Sequence, residues 1–312
     1  MRHILVALLA LLAAWAARAG DFDYALKPRE LAPGVYVFEG AVADFSPANG
    51  CNIINTGFIV TDAGVVVINT GPSKRYGDQQ RAAIRRVTAL PVVRVLNLNL
   101  HPDYFFGNQA YADLGAEALA GTRQGQQAEG KAYEDNMYRI CGDWMRDTES
   151  TPAARGIAPG RLQVGTRSLT LLRLSGHTAD DLVVLDETSG VMFAGGLAFH
   201  ARVPTTPHAA VPAWLESLDV LETLPFRIVV PSHGPVAHTG APITETRAYL
   251  RWLDATLRDA AARGLDMNEV LALPIPERFR GFAALDTEFV RNVSHLYPRY
   301  ERAVLAAPVS RD

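Results

Sequence analysis

The chain has 312 residues, is 48% hydrophobic and 20% charged, and carries a formal net charge of −3. That is ordinary globular composition, not that of a disordered or fibrous chain. No block of Lys and Arg occurs, which argues against a nucleic-acid surface, and no second long apolar run follows the N-terminus.

Arg2 and His3 precede an uncharged apolar run over residues 4–15, and Ala17-Arg18-Ala19 supplies a small-x-small cleavage pattern. Residues 1–19 therefore read as a secretory signal peptide, with residues 20–312 as one domain. The run is shorter than the ~20 apolar residues that a membrane span needs, so no anchor is expected after cleavage. Removing Arg2 and Arg18, with no acid beside them, takes the net charge from −3 to −5. Export implies an oxidising compartment, the periplasm. There Cys51 and Cys141 form either one disulfide or two separate buried thiols.

Residues 34–38 are β-branched and aromatic and predict a strand. Residues 52–59 and 65–68 predict a hairpin around the turn residues 61–64. A helix is expected over 76–90, a buried strand over 92–100, a helix over 105–114, a short strand over 117–120 and a polar helix over 122–149. The pattern then restarts. Residues 161–174 are strand-rich, and 182–185 with 191–193 form a second hairpin. A helix over 213–224 and a strand over 227–230 follow, then helices over 244–262 and 287–305. The segments 58–69 and 182–196 echo each other, each leading from a hairpin to a loop and a helix. This suggests two related halves, with sheets facing each other and helices outside.

Three of the eight histidines stand at the ends of predicted strands: His101, His177 and His233. Asp103 follows His101 by two residues. A lone His is more often a surface or capping residue, but imidazole and carboxylate are what zinc takes when thiolate is absent. His200, His208 and His238 fall near the expected mouth of such a site. Of the two readings for His208, ligand contact or a helix cap over 213–224, the cap is preferred. Asp181 either supports the site by accepting a hydrogen bond or is a solvated turn residue. No Gly-x-Ser-x-Gly elbow is present.

These residues, in context, resemble the metallo-β-lactamase superfamily. The likeness runs through Tyr24-Ala25-Leu26-Lys27-Pro28, Asn55-Thr56-Gly57-Phe58-Ile59-Val60-Thr61-Asp62, Thr70-Gly71-Pro72-Ser73, His101-Pro102-Asp103, Gly107-Asn108-Gln109, Gly176-His177-Thr178 and Thr205-Thr206-Pro207-His208. In detail the chain is similar to the quinoprotein relay system zinc metallohydrolases, which are related to SoxH-type proteins. The resemblance implies an α/β fold, a four-layer αββα sandwich of two pseudo-symmetric halves. It implies zinc, held by His101, Asp103, His177 and His233, with Asp103 as the candidate catalytic carboxylate. It also implies metal-bound hydroxide attacking an ester-like bond, with a PQQ-dependent dehydrogenase or its cytochrome as partner.

The motif is incomplete. Where the superfamily has His-x-His-x-Asp-His, this chain has Asn99-Leu100-His101-Pro102-Asp103-Tyr104. The bridging Asp of the family is replaced by Gly196, and the Asp that ends the first hairpin by Asn69. The amide of Asn99 is a poor zinc ligand, Tyr104 could ligate only as phenolate, and Gly196 offers no donor. Two dications also need anionic ligands to offset their repulsion. One zinc ion or none is therefore expected rather than two, and a non-catalytic accessory or ligand-binding protein is the alternative to a hydrolase.

Overall fold

The computed structural model describes residues 22–306. The expected signal peptide lies outside the described residues. Seven strands form one sheet in chain order: β1 (Arg29–Ala32), β2 (Val35–Phe38), β3 (Thr56–Thr61), β4 (Gly64–Ile68), β5 (Val92–Leu96), β6 (Glu117–Ala118) and β7 (Arg155–Gly156). The second sheet contains β8 (Gly160–Val164), β9 (Arg167–Leu174), β10 (Asp181–Asp186), β11 (Val191–Phe193) and β12 (Ile228–Val230), in the order β12-β11-β10-β9-β8. The helices are α1 (Lys74–Val87), α2 (Pro102–Phe105), α3 (Ala120–Cys141), α4 (Val211–Glu222), α5 (Ala241–Ala262), α6 (Met267–Leu271) and α7 (Leu285–Ala306).

Alternation along the strands decides the layers, because successive side chains of a strand point to opposite faces. In β4, Val66 and Ile68 join the core between the sheets, while Val65 and Val67 pack with Tyr76, Ala83 and Ile84 of α1. In β10, Leu182 and Val184 enter the same inter-sheet core. Val183 and Leu185 face outward onto Trp214 and Leu218 of α4 and Tyr249 and Leu250 of α5. The result is helix, sheet, sheet, helix, as the resemblance implied. The echo between the halves has a topological counterpart. The hairpin β3–β4 leads through α1 to β5, parallel to β4, and the hairpin β10–β11 leads through α4 to β12, parallel to β11.

Several boundaries differ from expectation. The strand expected over 92–100 stops at Leu96. Beyond it Asn97 donates to Asn108 Oδ1 at 3.0 Å, and the Leu98 amide donates to Asn69 Oδ1 at 2.9 Å, bonds that pull the chain out of the sheet. The helix expected over 105–114 is α2 followed by a tighter helical turn over Phe106–Tyr111. The helix expected over 122–149 ends at Cys141, because Gly142 turns into a positive φ of 56°. Helix α6 starts on the reciprocal cap Asp266–Glu269, a signal the chain-order reading left unused. No described helix is long and apolar enough to cross a membrane.

Cys51 and Cys141 form a disulfide, their Cα atoms 6.1 Å apart across 90 residues. It is buried with Phe105, Phe106, Met137 and Met145, and it ties the loop before β3 to the end of α3. Closing a loop of that length removes about 4–5 kcal/mol of unfolded-state entropy. Replacing both cysteines with Ser is expected to lower stability by up to that amount, measured as a lower urea midpoint. An unchanged midpoint would show two separate thiols.

Candidate functional site

The strand ends place the site. His101 follows β5 and precedes α2, Asp103 lies on α2, His177 sits in the turn between β9 and β10, and His233 follows β12. All four are buried, between 0% and 8% exposed. They gather as two pairs. The rings of His101 and His177 are 4.7 Å apart, edge to face. Asp103 Oδ2 and His233 Nε2 are 3.0 Å apart. Tyr104 stands between the pairs, its ring 6.5 Å from both His101 and His233.

The residues at the positions where the resemblance implies further ligands make other contacts. Asn99 donates to Asp181 Oδ1 at 2.6 Å, and its Oδ1 accepts the His101 amide at 3.0 Å. Asp181 is fully buried and also accepts the Thr178 amide at 2.9 Å, so it supports the site and is not a solvated turn residue. Tyr104 is fully buried, and its hydroxyl has no partner of good geometry among the described residues. Asn69 adopts a left-handed φ of 57°, which Asn tolerates better than most residues, and its side chain holds the Leu98 amide. Gly196 is a close approach: a β-carbon there would overlap His177 Nδ1. The His177 imidazole occupies the volume a side chain at 196 needs, packed against Trp214 at 5.0 Å.

A second chain of bonds runs outward. His101 Nε2 lies 2.9 Å from His208 Nδ1, and His208 Nε2 lies 3.0 Å from Glu129 Oε1. Tyr133 donates to Glu129 Oε2 at 2.6 Å. The preferred capping role for His208 is thereby corrected. The residue preceding α4 is Ala210, which makes no side-chain cap, and both ring nitrogens of His208 are engaged elsewhere. These residues open on a cavity of about 470 Å³, within the range of small-molecule sites. His101, Asp103, His208 and His233 line its floor, α3 supplies one wall and α7 another. His200 is turned to the Pro235 carbonyl at 2.8 Å, outside this lining, and His238 is not part of it either. Glu129, Tyr133 and His295 were missed by sequence reasoning. Glu129 and Tyr133 are one turn apart on α3, the only signal that could have paired them.

Burial dominates the electrostatics. It holds His101 well below its ordinary value of 6.5, with His177, His208 and His233 adding in the same direction. Burial also lowers His233 to about 4, against the bond to Asp103, which raises it. Burial, then the nearby Asp103, pushes Tyr104 well above 10, so its phenolate is strongly disfavoured.

A model of the Metallo-beta-lactamase superfamily matches residues 49–233. Among solved structures the chain is similar to a metallo-beta-lactamase from Pontibacter korlensis. That match has 19% identity and a TM-score of 0.59, over 72% of this chain and 99% of that one. It is also similar to metallo-beta-lactamase IND-7, at 19% identity and a TM-score of 0.58, over 72% and 98%. DIM-1 metallo-beta-lactamase follows at 15% identity and a TM-score of 0.54, over 73% and 97%. At these identities the likeness carries the fold. No functionally curated protein matches.

Proteins of this superfamily typically bind zinc. Catalytic zinc takes three protein ligands and structural zinc four. Here each pair supplies two donors, and among the described residues no group of three or more His, Cys, Asp or Glu is arranged to hold a metal. The residues present do not fit the two-ion centre.

Two outcomes follow. Gly196→Ala is expected to lose about 1–3 kcal/mol in urea unfolding through overlap with His177, and an unaltered midpoint would mean that His177 yields freely. The unfolded chain takes up protons on His101 and His233 below about 6.5 that the folded chain refuses, down to about 4 for His233. Stability is therefore lost as pH falls through that window. His233→Gln should flatten the slope, and a flat profile in the parent protein would contradict the shifts.

Proposed function

Since the chain belongs to the metallo-β-lactamase superfamily, we propose that it is an exported protein of that fold whose pocket binds a small ligand without a zinc-hydroxide nucleophile. The observation that carries this reading is the His177 ring in the space a residue-196 carboxylate requires. Hydroxide at neutral pH depends on a metal held in an open site by enough ligands. Asn99, Tyr104 and Gly196 remove three, and two of these positions now serve other bonds or packing. The cavity persists beside the altered floor. Export to the periplasm is supported by the signal pattern of residues 1–19 and by the buried disulfide. A PQQ-dependent dehydrogenase or its cytochrome is the proposed partner, on the resemblance to quinoprotein relay metallohydrolases.

One observation favours a second reading, a hydrolase with one zinc ion. His208, itself held by Glu129, meets Nε2 of His101, and such bonded partners are what orient metal-ligating histidines. Metal content separates the two. The mature protein, exported and purified without chelator or His tag, is expected to carry far less than one zinc per chain by mass spectrometry. It should also leave nitrophenyl esters and thioesters uncleaved. Stoichiometric zinc retained through dialysis, with chelator-sensitive hydrolysis, would overturn the ligand-binding reading.

A further inference from the structure

Beyond its histidine floor the cavity is lined by a different chemistry. Phe45, from the loop before β3, and Tyr133 and Ile140, from α3, line it and are only partly covered by protein. All three pack against the buried cluster of Cys51, Cys141 and Met137, and Met137 lines the cavity as well. The disulfide joins the loop to α3 covalently, so this apolar wall is held in place. Aromatic and aliphatic surface left uncovered in a cavity gains free energy when a ligand covers it.

The α7 side of the cavity is charged but neutralised from within. Arg202, 1% exposed, pairs with Glu288 at 3.2 Å, and Glu288, 2% exposed, also pairs with Arg291 at 3.0 Å. Arg291 pairs in turn with Asp44 at 3.0 Å. Two guanidinium groups thus meet two carboxylates, and the network leaves no charge for an ionised ligand to offset. On α3, both oxygens of Glu129 are engaged, one by Tyr133 and one by His208. Arg139 bonds Asn136 at the exposed rim, where an ion pair is worth little. Burying an ion that finds no unpaired counter-charge is costly. A guanidinium group, in contrast, hydrogen-bonds through its edges and stacks on aromatic rings through its faces, so pairing with carboxylates does not remove its attraction for a ring.

We infer that this part of the cavity binds a neutral aromatic molecule, its ring covering Phe45, Tyr133 and Ile140. Such binding rests on the reading of the cavity as a ligand site and does not depend on what occupies the histidine floor.

Calorimetric titration of the full mature protein with naphthylmethanol, naphthoate, naphthylmethylammonium and decahydronaphthylmethanol tests this. Naphthylmethanol is expected to bind saturably, and both ions at least about ten-fold more weakly, since neither finds an unpaired counter-charge. The saturated analogue should bind about two- to ten-fold more weakly, the worth of aromatic contacts beyond buried area. Ile140→Asp, which places a charge on the apolar wall, is expected to abolish saturable binding of naphthylmethanol. Should that variant fail to fold, Phe45→Ala is expected to weaken naphthylmethanol about ten-fold, while Tyr133→Phe changes it by less than about two-fold because the ring makes the contact. An ion that binds as tightly as naphthylmethanol, or naphthylmethanol that does not bind saturably, would overturn this inference alone. Stoichiometric zinc with chelator-sensitive hydrolysis would overturn the metal-free reading. On such a zinc-loaded protein the same ranking of probes would still support aromatic binding, and its loss would overturn that too.

Discussion

The buried carboxylate of Asp181 is the constraint on which the site depends. It has no exposure, so its acceptors must be filled from within the protein. Thr178 fills one oxygen from the neighbouring turn, and Asn99 reaches the other from the segment after β5. Asp181 begins β10 of the second sheet, whereas Asn99 follows the end of β5 in the first. The bond is therefore a strap between the two sheets at the end where the site lies. The Leu182 amide, donating to the Leu98 carbonyl at 2.9 Å, makes a second strap beside it. Together they set where His101 and Asp103 stand relative to His177.

That strap explains why an amide serves position 99. A primary amide both donates and accepts, and Asn99 uses the two functions on opposite sides, toward Asp181 and toward the His101 amide. An imidazole that gave its lone pair to a metal would keep one donor and no second acceptor. Asn99 thus makes two internal bonds and brings no imidazole to the floor. Gly196 acts in packing, since the absence of a side chain there leaves room for the His177 ring. Asn99 and Gly196 thus hold the floor by different means, Asn99 through its bond to Asp181 and Gly196 through the His177 ring packed against it.

Much of this was legible in the chain. The hairpins around residues 65–68 and 182–185 were legible as strands, and their uniformly apolar side chains fit strands with a core on each face. The strand-end histidines His101, His177 and His233 could be singled out by position, and the structure brings them together. Glu129 and Tyr133 could not, because α3 is polar around most of its circumference and no apolar stripe shows which side faces inward. The role of His208 depends on a loop folding back onto α3, a contact across 79 residues that no local pattern announces. The pairing of Cys51 with Cys141 stayed open for the same reason: a distance between sequence neighbours of neither residue decides it.

The walls of the pocket are held separately from its floor. His101, His177 and His233 lie at the strand ends and Asp103 on the short α2, while the cavity walls come from α3 and α7. Helix α3 is fixed by the disulfide at its C-terminal end, and by the Thr122 hydroxyl, which donates to the Asp180 carbonyl at 2.8 Å near its start. Helix α7 is fixed by the buried pair Arg202–Glu288 and by Asn292, which donates to the Pro204 carbonyl at 2.9 Å. None of these anchors uses Asn99, Tyr104 or Gly196. Substitution at the floor can therefore change what the cavity binds while the walls keep its volume. A fold whose walls and floor are held independently allows chemistry to be exchanged without collapse, because the burial that stabilises it lies in the sheets and helices and not at the site.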